Sequence, residues 1–165
     1  MENKLFEELV LKNENGLYRL SMSILKNYAD AQDAVHDAIL IAFEKRDALK
    51  NPDAFGPWLF RILVRVCYKE LRRKRRFADI GDTFPDVPSR DNPYADVEMG
   101  ALLDSLPVKI RTTVLLHYVE GYSVKEVAQI LRIPEGTVKS RLSTGRALLK
   151  EKLETTEPVA QACRG

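Results

Sequence analysis

The stretch from Tyr122 to Leu149 constrains the fold of this chain more than any other part of its sequence. It reads as two short helices joined by a tight turn. Ser123 followed by Glu126 predicts a capping box, in which a hydroxyl and a carboxylate each satisfy a free backbone N–H of the first turn. Pro134 suits the start of the second helix, because proline costs little in a first helical turn. The stretch therefore predicts a helix-turn-helix.

The second helix of this motif has two chemically different faces. Val138, Leu142 and Leu149 share one face and are predicted to pack on the first helix. The opposite face and its flanks carry small, hydroxylated and cationic side chains, which suit contacts to phosphates and base edges in a major groove. An ordinary helical hairpin with a solvated polar face is the alternative. The predicted duplex-binding residues are Thr137, Lys139, Ser140, Arg141, Ser143, Thr144 and Arg146.

The first fifty residues are predicted to form helices, because apolar residues recur there at spacings of three and four. The pattern breaks from Asn27 to Asp30, and Asp30 is the predicted N-cap of the next helix. That helix buries an apolar stripe containing Val35 and Ala38. Its other face is acidic and polar. Judged from this helix alone, that face is interpreted as a solvated surface. The residues of that face are Gln32, Asp33, His36, Asp37 and Glu44.

Next comes a turn-rich loop from Leu49 to Pro57, followed by a helix predicted from Trp58 to about Arg76. Phe55 in the loop is either a plug for the core or a stacking platform for a base. Between Arg61 and Arg76 the chain has eight basic residues against one glutamate. Such a run on a helix that begins with aromatic residues indicates a contact with nucleic acid, and single-stranded or forked nucleic acid in particular.

The remaining segments complete an all-α chain of two small helical domains. Residues 77–98 contain three prolines and an excess of acidic residues, which predicts a flexible linker. The linker separates a first domain, residues 1–76, from a second, residues 99–153, and residues 154–165 are predicted to be a disordered tail. Within the second domain a helix that braces the helix-turn-helix is predicted from Ile110, Val114, Leu115 and Tyr118, and Gly121 is predicted to end it as a left-handed cap.

The composition, net charge and motif content of the chain exclude several classes of protein. Cys67 and Cys163 lie far from each other and share no close spacing with a histidine, so no zinc site or disulfide framework is expected. The net charge is only +2, so basicity must be judged locally. The chain has no apolar run of about 18 residues and no signal-peptide pattern, which predicts a cytoplasmic protein. Without paired histidines, a glycine-rich phosphate loop or a nucleophile–base pair, neither an enzyme nor a cofactor is expected.

Four motifs in order carry a family resemblance over almost the whole chain. They are YRLSMSILKNYADAQDAVHDAIL at Tyr18–Leu40, FGPWLFRI at Phe55–Ile62, LLDSLP at Leu102–Pro107, and GYSVKEVAQILRIPEGTVKSRL at Gly121–Leu142. With these motifs the chain resembles a bacterial extracytoplasmic-function (group IV) sigma factor of the sigma-70 family. The resemblance implies a promoter-specificity subunit of RNA polymerase, with sigma region 2 in the first domain and sigma region 4 in the second.

The resemblance also implies partners and site residues. Region 2 would dock on the clamp helices of the largest polymerase subunit through Gln32, Asp33, His36, Asp37 and Leu40. It would recognise and melt the minus-ten element through Lys50, Asn51, Asp53, Phe55, Trp58, Arg61, Arg65, Lys69, Arg72 and Arg73. Region 4 would read the minus-thirty-five element through its duplex-binding residues and contact the polymerase flap region. An anti-sigma factor, often membrane-bound in this family, is the expected regulator of an envelope or stress response.

Some positions depart from the family pattern. His36-Asp37 stands where Gln-Glu is usual, Arg65 where an asparagine often helps to form the base pocket, and Asn-Pro where many members have Arg-Gly. In the recognition helix Thr144-Gly145 replaces an Arg-Ala pair. Glycine inside a helix costs about 1 kcal/mol relative to alanine, so a weaker or altered minus-thirty-five readout is expected.

A stand-alone helix-turn-helix regulator is the alternative function. Its first domain would bind a ligand or dimerise. It predicts tight binding to duplex DNA without polymerase, and it gives the basic helix from Arg61 to Arg76 no role.

Overall fold

The computed structural model describes residues 1–77 and 97–162, and describes the side chains of residues 1–76 and 100–155. The predicted linker lies almost wholly outside these ranges. Within them every regular element is helical, which confirms the all-α prediction, and no helix is long and apolar enough to span a membrane. The helices are α1 (Asn3–Leu25), α2 (Tyr28–Glu44), α3 (Phe55–Phe77), α4 (Val97–Asp104), α5 (Val108–Val114), α6 (Val124–Leu131) and α7 (Glu135–Ala162), with 3-10 turns at Arg46–Ala48 and Pro52–Ala54 and a π-turn at Leu115–Val119.

The boundary between α1 and α2 corrects one prediction. Lys26 ends α1 in the left-handed conformation, with φ 53°. Asn27, and not Asp30, is the N-cap of α2: its side-chain oxygen accepts a hydrogen bond of 3.0 Å from the backbone N–H of Asp30. Asp30 lies in the first turn of α2, where its carboxylate still interacts favourably with the helix dipole.

Helices α1, α2 and α3 pack around one apolar core, which we call the N-terminal bundle. Phe55 is 1% exposed, and its ring meets that of Phe6 edge-on at a centroid distance of 5.6 Å. The core-plug interpretation of Phe55 is therefore correct, and the stacking-platform interpretation is wrong.

Cys67 is also buried in this core, and burial raises the pKa of its thiol to about 12. The thiol therefore stays protonated and acts as a packing group.

Helices α4 to α7 form the C-terminal domain, and α6 and α7 form the predicted helix-turn-helix. The capping box is present: the N–H of Glu126 donates to Ser123 Oγ at 3.1 Å, and the N–H of Ser123 donates to Glu126 Oε1 at 3.2 Å. Val138 and Leu142 are buried as predicted. Gly121 has φ 79°, as a left-handed cap requires.

The predicted bracing helix packs on the helix-turn-helix: α5 contacts α7, and Val114 and Leu115 are buried, whereas Tyr118 lies on the π-turn and is 53% exposed. One prediction for the C-terminal domain was wrong. The chain does not become irregular after Leu153, because α7 continues to Ala162. An ion pair of 3.9 Å between Lys150 and Glu154, one helical turn apart, stabilises α7 across the predicted boundary.

The N-terminal bundle and the C-terminal domain pack against each other, mainly α3 on α6 and α1 on α5. Phe60 of α3 meets the ring of Tyr122, just before α6, at a centroid distance of 5.5 Å. Tyr68 donates a hydrogen bond of 3.2 Å to Thr112. Arg19 of α1 pairs with Glu120 at 3.0 Å. Buried residues of both units therefore belong to one continuous apolar cluster.

Gly145 allows α7 to approach α5 closely, which the sequence did not indicate. A Cβ atom at this position would lie 2.7 Å from Val114 Cγ2 and 3.1 Å from Ile110 Cγ2. Helix propensity alone would favour alanine by about 1 kcal/mol, but overpacking a core costs about 1–3 kcal/mol. The overpacking cost outweighs the gain in propensity here, because Val114 is buried and stiff at χ1.

We therefore expect Gly145→Ala to lower the free energy of unfolding by about 1 kcal/mol, measured by urea denaturation. Gly136→Ala is the matched control, since a Cβ there meets nothing within 4 Å. That variant should be at least as stable as the parent chain. A stabilised Gly145→Ala protein would contradict the close approach of α5 and α7.

Candidate nucleic-acid and polymerase interface

A groove of about 1140 Å³ runs between α2 and α3 and brings two predicted sites together. Its floor is apolar and includes Ala34, Ile62 and Val66. One wall, on α2, carries carboxylates, and the other, on α3, carries guanidinium and ammonium groups. We call this feature the α2–α3 groove. Its charged lining residues are Asp30, Asp33, Asp37, Glu44, Lys45, Arg65, Lys69, Glu70, Arg72, Arg73 and Arg76.

The acidic wall contains most of the residues predicted to bind polymerase. Asp33 and Asp37 are exposed and line the groove, together with Leu40, an apolar side chain that is 61% exposed. Their spacing of three and four residues places them on one face of α2. His36 is exposed on the same helix, and Gln32 donates to the hydroxyl of Tyr28 at 2.7 Å. An exposed leucine among carboxylates suits a protein partner with an apolar and basic surface.

The basic wall contains most of the residues predicted to hold a melted strand. Arg65, Lys69 and Arg72 are exposed and line the groove along α3. Arg73 forms a bidentate pair with Glu70, with distances of 3.0 and 2.6 Å, and this pairing raises the pKa of Arg73 and lowers that of Glu70. Of the predicted strand-binding residues on this wall, Arg65, Lys69 and Arg72 are thus the best placed to bind phosphates.

Arg61 lies apart from this wall, at the edge of the interface between the two units. Burial, the charge of Arg132 in the helix-turn-helix turn and the charge of Arg65 together lower the pKa of Arg61. Arg132 itself has φ 54°, an uncommon conformation for a residue with a side chain. Two cations from different domains therefore lie near each other, where repulsion opposes the packing of one domain on the other.

The loop before α3 is a pair of short turns with exposed polar side chains. Asn51 accepts a hydrogen bond of 3.0 Å from the N–H of Asp53, so its side chain shapes the 3-10 turn. Lys50 and Asp53 are exposed. Trp58 is half-buried against Phe55, at a centroid distance of 5.8 Å. Of the aromatic side chains predicted to contact the minus-ten element, only Trp58 is partly open to solvent, because Phe55 is buried.

The predicted duplex-binding residues lie on the outer face of α7 and its flanks. Lys139, Ser140, Ser143, Thr144 and Arg146 are exposed. Thr137 and Arg141 are half-buried, and Arg141 is close enough to Tyr68 of α3 to lower the pKa of that phenol against the larger effect of burial.

One cation on the exposed flank of α7 has a partner within the chain. The guanidinium of Arg146 donates to the hydroxyl of Tyr118 at 2.8 Å. It is therefore anchored to the π-turn.

Several residues of these surfaces were not among the site residues predicted individually. Arg76 lines the groove and belongs to the basic run, so the charge count itself was the signal for it. Lys74 lies in the same run and forms an ion pair with Asp30 that joins α3 to α2. No sequence signal identified Arg19, Arg111 or Tyr122 as contacts between the two units, because their partners are distant in the chain.

Comparisons with known proteins agree with this division of the chain. The family model for sigma-70 region 2 matches residues 9–77, and the model for sigma-70 region 4 matches residues 96–149. The chain is 29% identical over 146 residues to the RNA polymerase sigma factor SigV of Bacillus subtilis, covering 87% of this chain and 88% of that protein. It is 32% identical over 150 residues to the ECF RNA polymerase sigma factor SigM of Mycobacterium tuberculosis, covering 90% of this chain and 76% of that protein.

The fold of the chain is also similar to that of a solved sigma factor structure. The sigma factor RpoE of Bartonella quintana, in complex with the anti-sigma factor NepR, superposes with a TM-score of 0.78 at 27% identity, over 90% of this chain and 96% of that one. The matches span both units, which the alternative of a stand-alone regulator does not explain. The chain belongs to the sigma-70 family, as an extracytoplasmic-function sigma factor that binds core RNA polymerase and promoter DNA and directs transcription initiation without being an enzyme.

Proposed function

We propose that the α2–α3 groove is where this sigma factor joins polymerase to melted promoter DNA. Asp33, Asp37 and Leu40 on the α2 wall bind the polymerase clamp helices. Arg65, Lys69 and Arg72 on the α3 wall hold the phosphates of the melted minus-ten strand. The observation that carries this proposal is the opposition of an acidic wall and a basic wall across one groove.

The C-terminal domain has the second role in this proposal. The outer face of α7 enters the major groove of the minus-thirty-five element, with Ser140, Ser143 and Thr144 towards the bases. Lys139 and Arg146 flank this face and bind phosphates, and the domain also contacts the polymerase flap region. Residues 1–76 thus act as region 2 and residues 99–153 as region 4. Linking two modest contacts through the polymerase raises the effective concentration of each.

We also propose that an anti-sigma factor controls this chain. The support is the Bartonella quintana RpoE, which is similar over 90% of this chain and was solved with its anti-sigma factor NepR. The controlled response would be an envelope or stress response. The sigma factor would act in the cytoplasm at the nucleoid, and a membrane-bound anti-sigma factor would hold it away from polymerase until the signal arrives.

Run-off transcription with bacterial core polymerase on a library of promoter fragments tests the role of the basic wall. The Arg65→Ala/Arg72→Ala variant should give transcript levels lower by about tenfold or more, because two cations that neutralise strand phosphates are removed. The salt dependence of open-complex formation should also weaken, by about 1.4 in the log–log slope for two single-strand contacts.

Lys4→Ala/Lys12→Ala is the matched control, since it removes the same charge from exposed positions on α1. This control should transcribe as the parent chain does. Equal activity of the two double variants would exclude the basic wall as the strand-binding surface.

A further inference from the structure

Arg146 on the recognition helix has a partner from another part of the C-terminal domain. Its Nη1 donates a hydrogen bond of 2.8 Å to the hydroxyl oxygen of Tyr118, 28 residues earlier in the chain. Both side chains are exposed. Lys139 and Arg146 are seven residues, or about two helical turns, apart, so they lie along one edge of α7. Tyr118 therefore lies beside the edge of α7 that is proposed to bind phosphates.

The π-turn is what places Tyr118 beside this edge. The spacing of four residues from the buried Val114 would keep Tyr118 on the buried row of a regular α-helix. In the structure the N–H of Glu120 donates to the carbonyl oxygen of Leu115 at 2.9 Å, which is the hydrogen bond of a π-turn. Such a turn contains more residues than an α-helical turn, so it rotates the following side chains off the row, and it is frequent at functional sites. Tyr118 is accordingly 53% exposed.

His117 braces the ring of Tyr118. The two rings meet edge-on at a centroid distance of 4.8 Å. The imidazole is itself held in place, because its Nδ1 donates to the carbonyl oxygen of Tyr122 at 2.8 Å. Since a carbonyl oxygen can only accept, this contact also fixes the tautomer with a proton on Nδ1. The hydroxyl of Tyr118 is therefore presented to Arg146 by a ring whose position is supported.

The hydrogen bond between Tyr118 and Arg146 suits a role in binding better than a role in stability. Both groups are exposed, and water replaces such a bond at little cost when it breaks. An arginine that binds a phosphate loses rotamer freedom, and a partner that holds the side chain beforehand removes part of that loss. The bond uses one N–H of the guanidinium fork and leaves other donors available for a phosphate oxygen.

We propose that Tyr118 is a positioning residue for the minus-thirty-five contact, and that its hydroxyl holds the guanidinium of Arg146 at the edge of α7 where a phosphate of the duplex binds. The proposal rests on the proposed function, because the position of Arg146 matters only if this edge faces DNA. It adds a residue from outside the helix-turn-helix to the duplex-binding machinery. Since phosphate contacts carry no sequence information, Tyr118 strengthens binding to all minus-thirty-five sequences alike.

Holoenzyme assembled from the full chain and bacterial core polymerase tests this role on a promoter fragment recovered from the transcription library. Tyr118→Phe removes only the hydroxyl and keeps the ring that packs on His117. It should lower the affinity of holoenzyme for the fragment about fivefold, as the loss of an exposed hydrogen bond to a charged group implies. Val119→Ala, at an exposed position on the same turn, is the matched control and should bind as the parent chain does. The free energy of unfolding should be the same for all of these chains.

A double-mutant cycle shows whether Tyr118 acts through Arg146. Arg146→Ala should weaken binding at least as much as Tyr118→Phe does, and it should reduce the log–log salt slope by about 0.9, the amount for one phosphate of B-DNA. Tyr118→Phe removes no charge, yet it should also reduce this slope, because a poorly held guanidinium neutralises its phosphate less often. In the Arg146→Ala background, Tyr118→Phe should have no further effect on the affinity or on the slope.

The proposal is overturned if Tyr118→Phe binds as the parent chain does, leaves the salt slope unchanged, or weakens binding equally in the Arg146→Ala background. Lys139→Ala separates these results from failure of the proposed function. If Lys139→Ala weakens binding and Tyr118→Phe does not, α7 contacts DNA as proposed and only the positioning role is wrong. If neither Lys139→Ala nor Arg146→Ala weakens binding, this edge of α7 does not contact the duplex, and the positioning role fails together with the proposed function of the C-terminal domain.

Discussion

Replacement of Phe60 by alanine is expected to lower the free energy of unfolding by about 3–5 kcal/mol, as for other phenylalanines removed from packed cores. The ring is 1% exposed and packs directly on the backbone of α1, because a Cβ at Gly16 would lie 2.9 Å from its Cζ atom. It also meets the ring of Tyr122 from the other unit. The cavity left behind would therefore border α1, α3 and the start of α6 at the same time.

Urea denaturation followed by circular dichroism measures this loss, and Phe43→Ala provides the comparison. Phe43 is also aromatic and touches Phe6 at a centroid distance of 5.4 Å, but it is 39% exposed. Its removal should cost less than half as much, since less apolar surface returns to water. Similar losses for the two variants would mean that Phe60 does not occupy the packed centre described above.

Arg111→Met is expected to lower the free energy of unfolding by about 3 kcal/mol, because hydrogen bonds to a charged group contribute about 1.5–3 kcal/mol each and buried carbonyls lose a donor. Arg111 is 4% exposed. Its Nε donates to the carbonyl oxygen of Ser23 at 3.0 Å, and its Nη1 donates to those of Leu106 at 2.7 Å and Asp104 at 3.3 Å. These carbonyls lie in the last turn of α1 and at the end of α4, where helices leave acceptors unsatisfied.

The position of Arg111 also suits its charge, since the C-terminal end of a helix carries partial negative charge. Lys109→Met is the control on the same helix, at an exposed position, and it should change stability little. Arg111→Lys should recover only part of the loss, because an ammonium lacks the planar fork that spans two carbonyls. Full stability in Arg111→Met would show that these hydrogen bonds contribute no net free energy.

Local patterns predicted much of this fold correctly. The capping box at Ser123 and Glu126 and the buried face of Val138 and Leu142 depend on spacings of three and four residues, which a helix converts directly into contacts. The error at Asp30 arose because Asn27 and Asp30 are both good N-caps, and the sequence does not say which of them lies outside the helix. Helix propensity likewise explains only part of the effect of Gly145, whose close neighbours come from α5.

Contacts between distant residues could not be predicted in the same way. Arg111 binds Ser23 across 88 residues of sequence, and Arg19 pairs with Glu120 across 101. Nothing in the local composition links such positions. The basic run predicted one wall of the groove, since charge can be counted along a single helix. That α2 places carboxylates directly opposite follows only from the packing of α2 on α3.

The α2–α3 groove has a consequence for how this protein encounters nucleic acid in bulk. Five carboxylates and six cations line it, so their fields largely cancel when seen from afar. Beyond a Debye length of about 8 Å at physiological ionic strength, little of either field remains. The basic wall therefore exerts its attraction only on a strand already brought within a few ångströms. Chromosomal DNA farther away is attracted only weakly, because the groove is nearly neutral as a whole. Binding of the protein to non-promoter DNA is thereby limited.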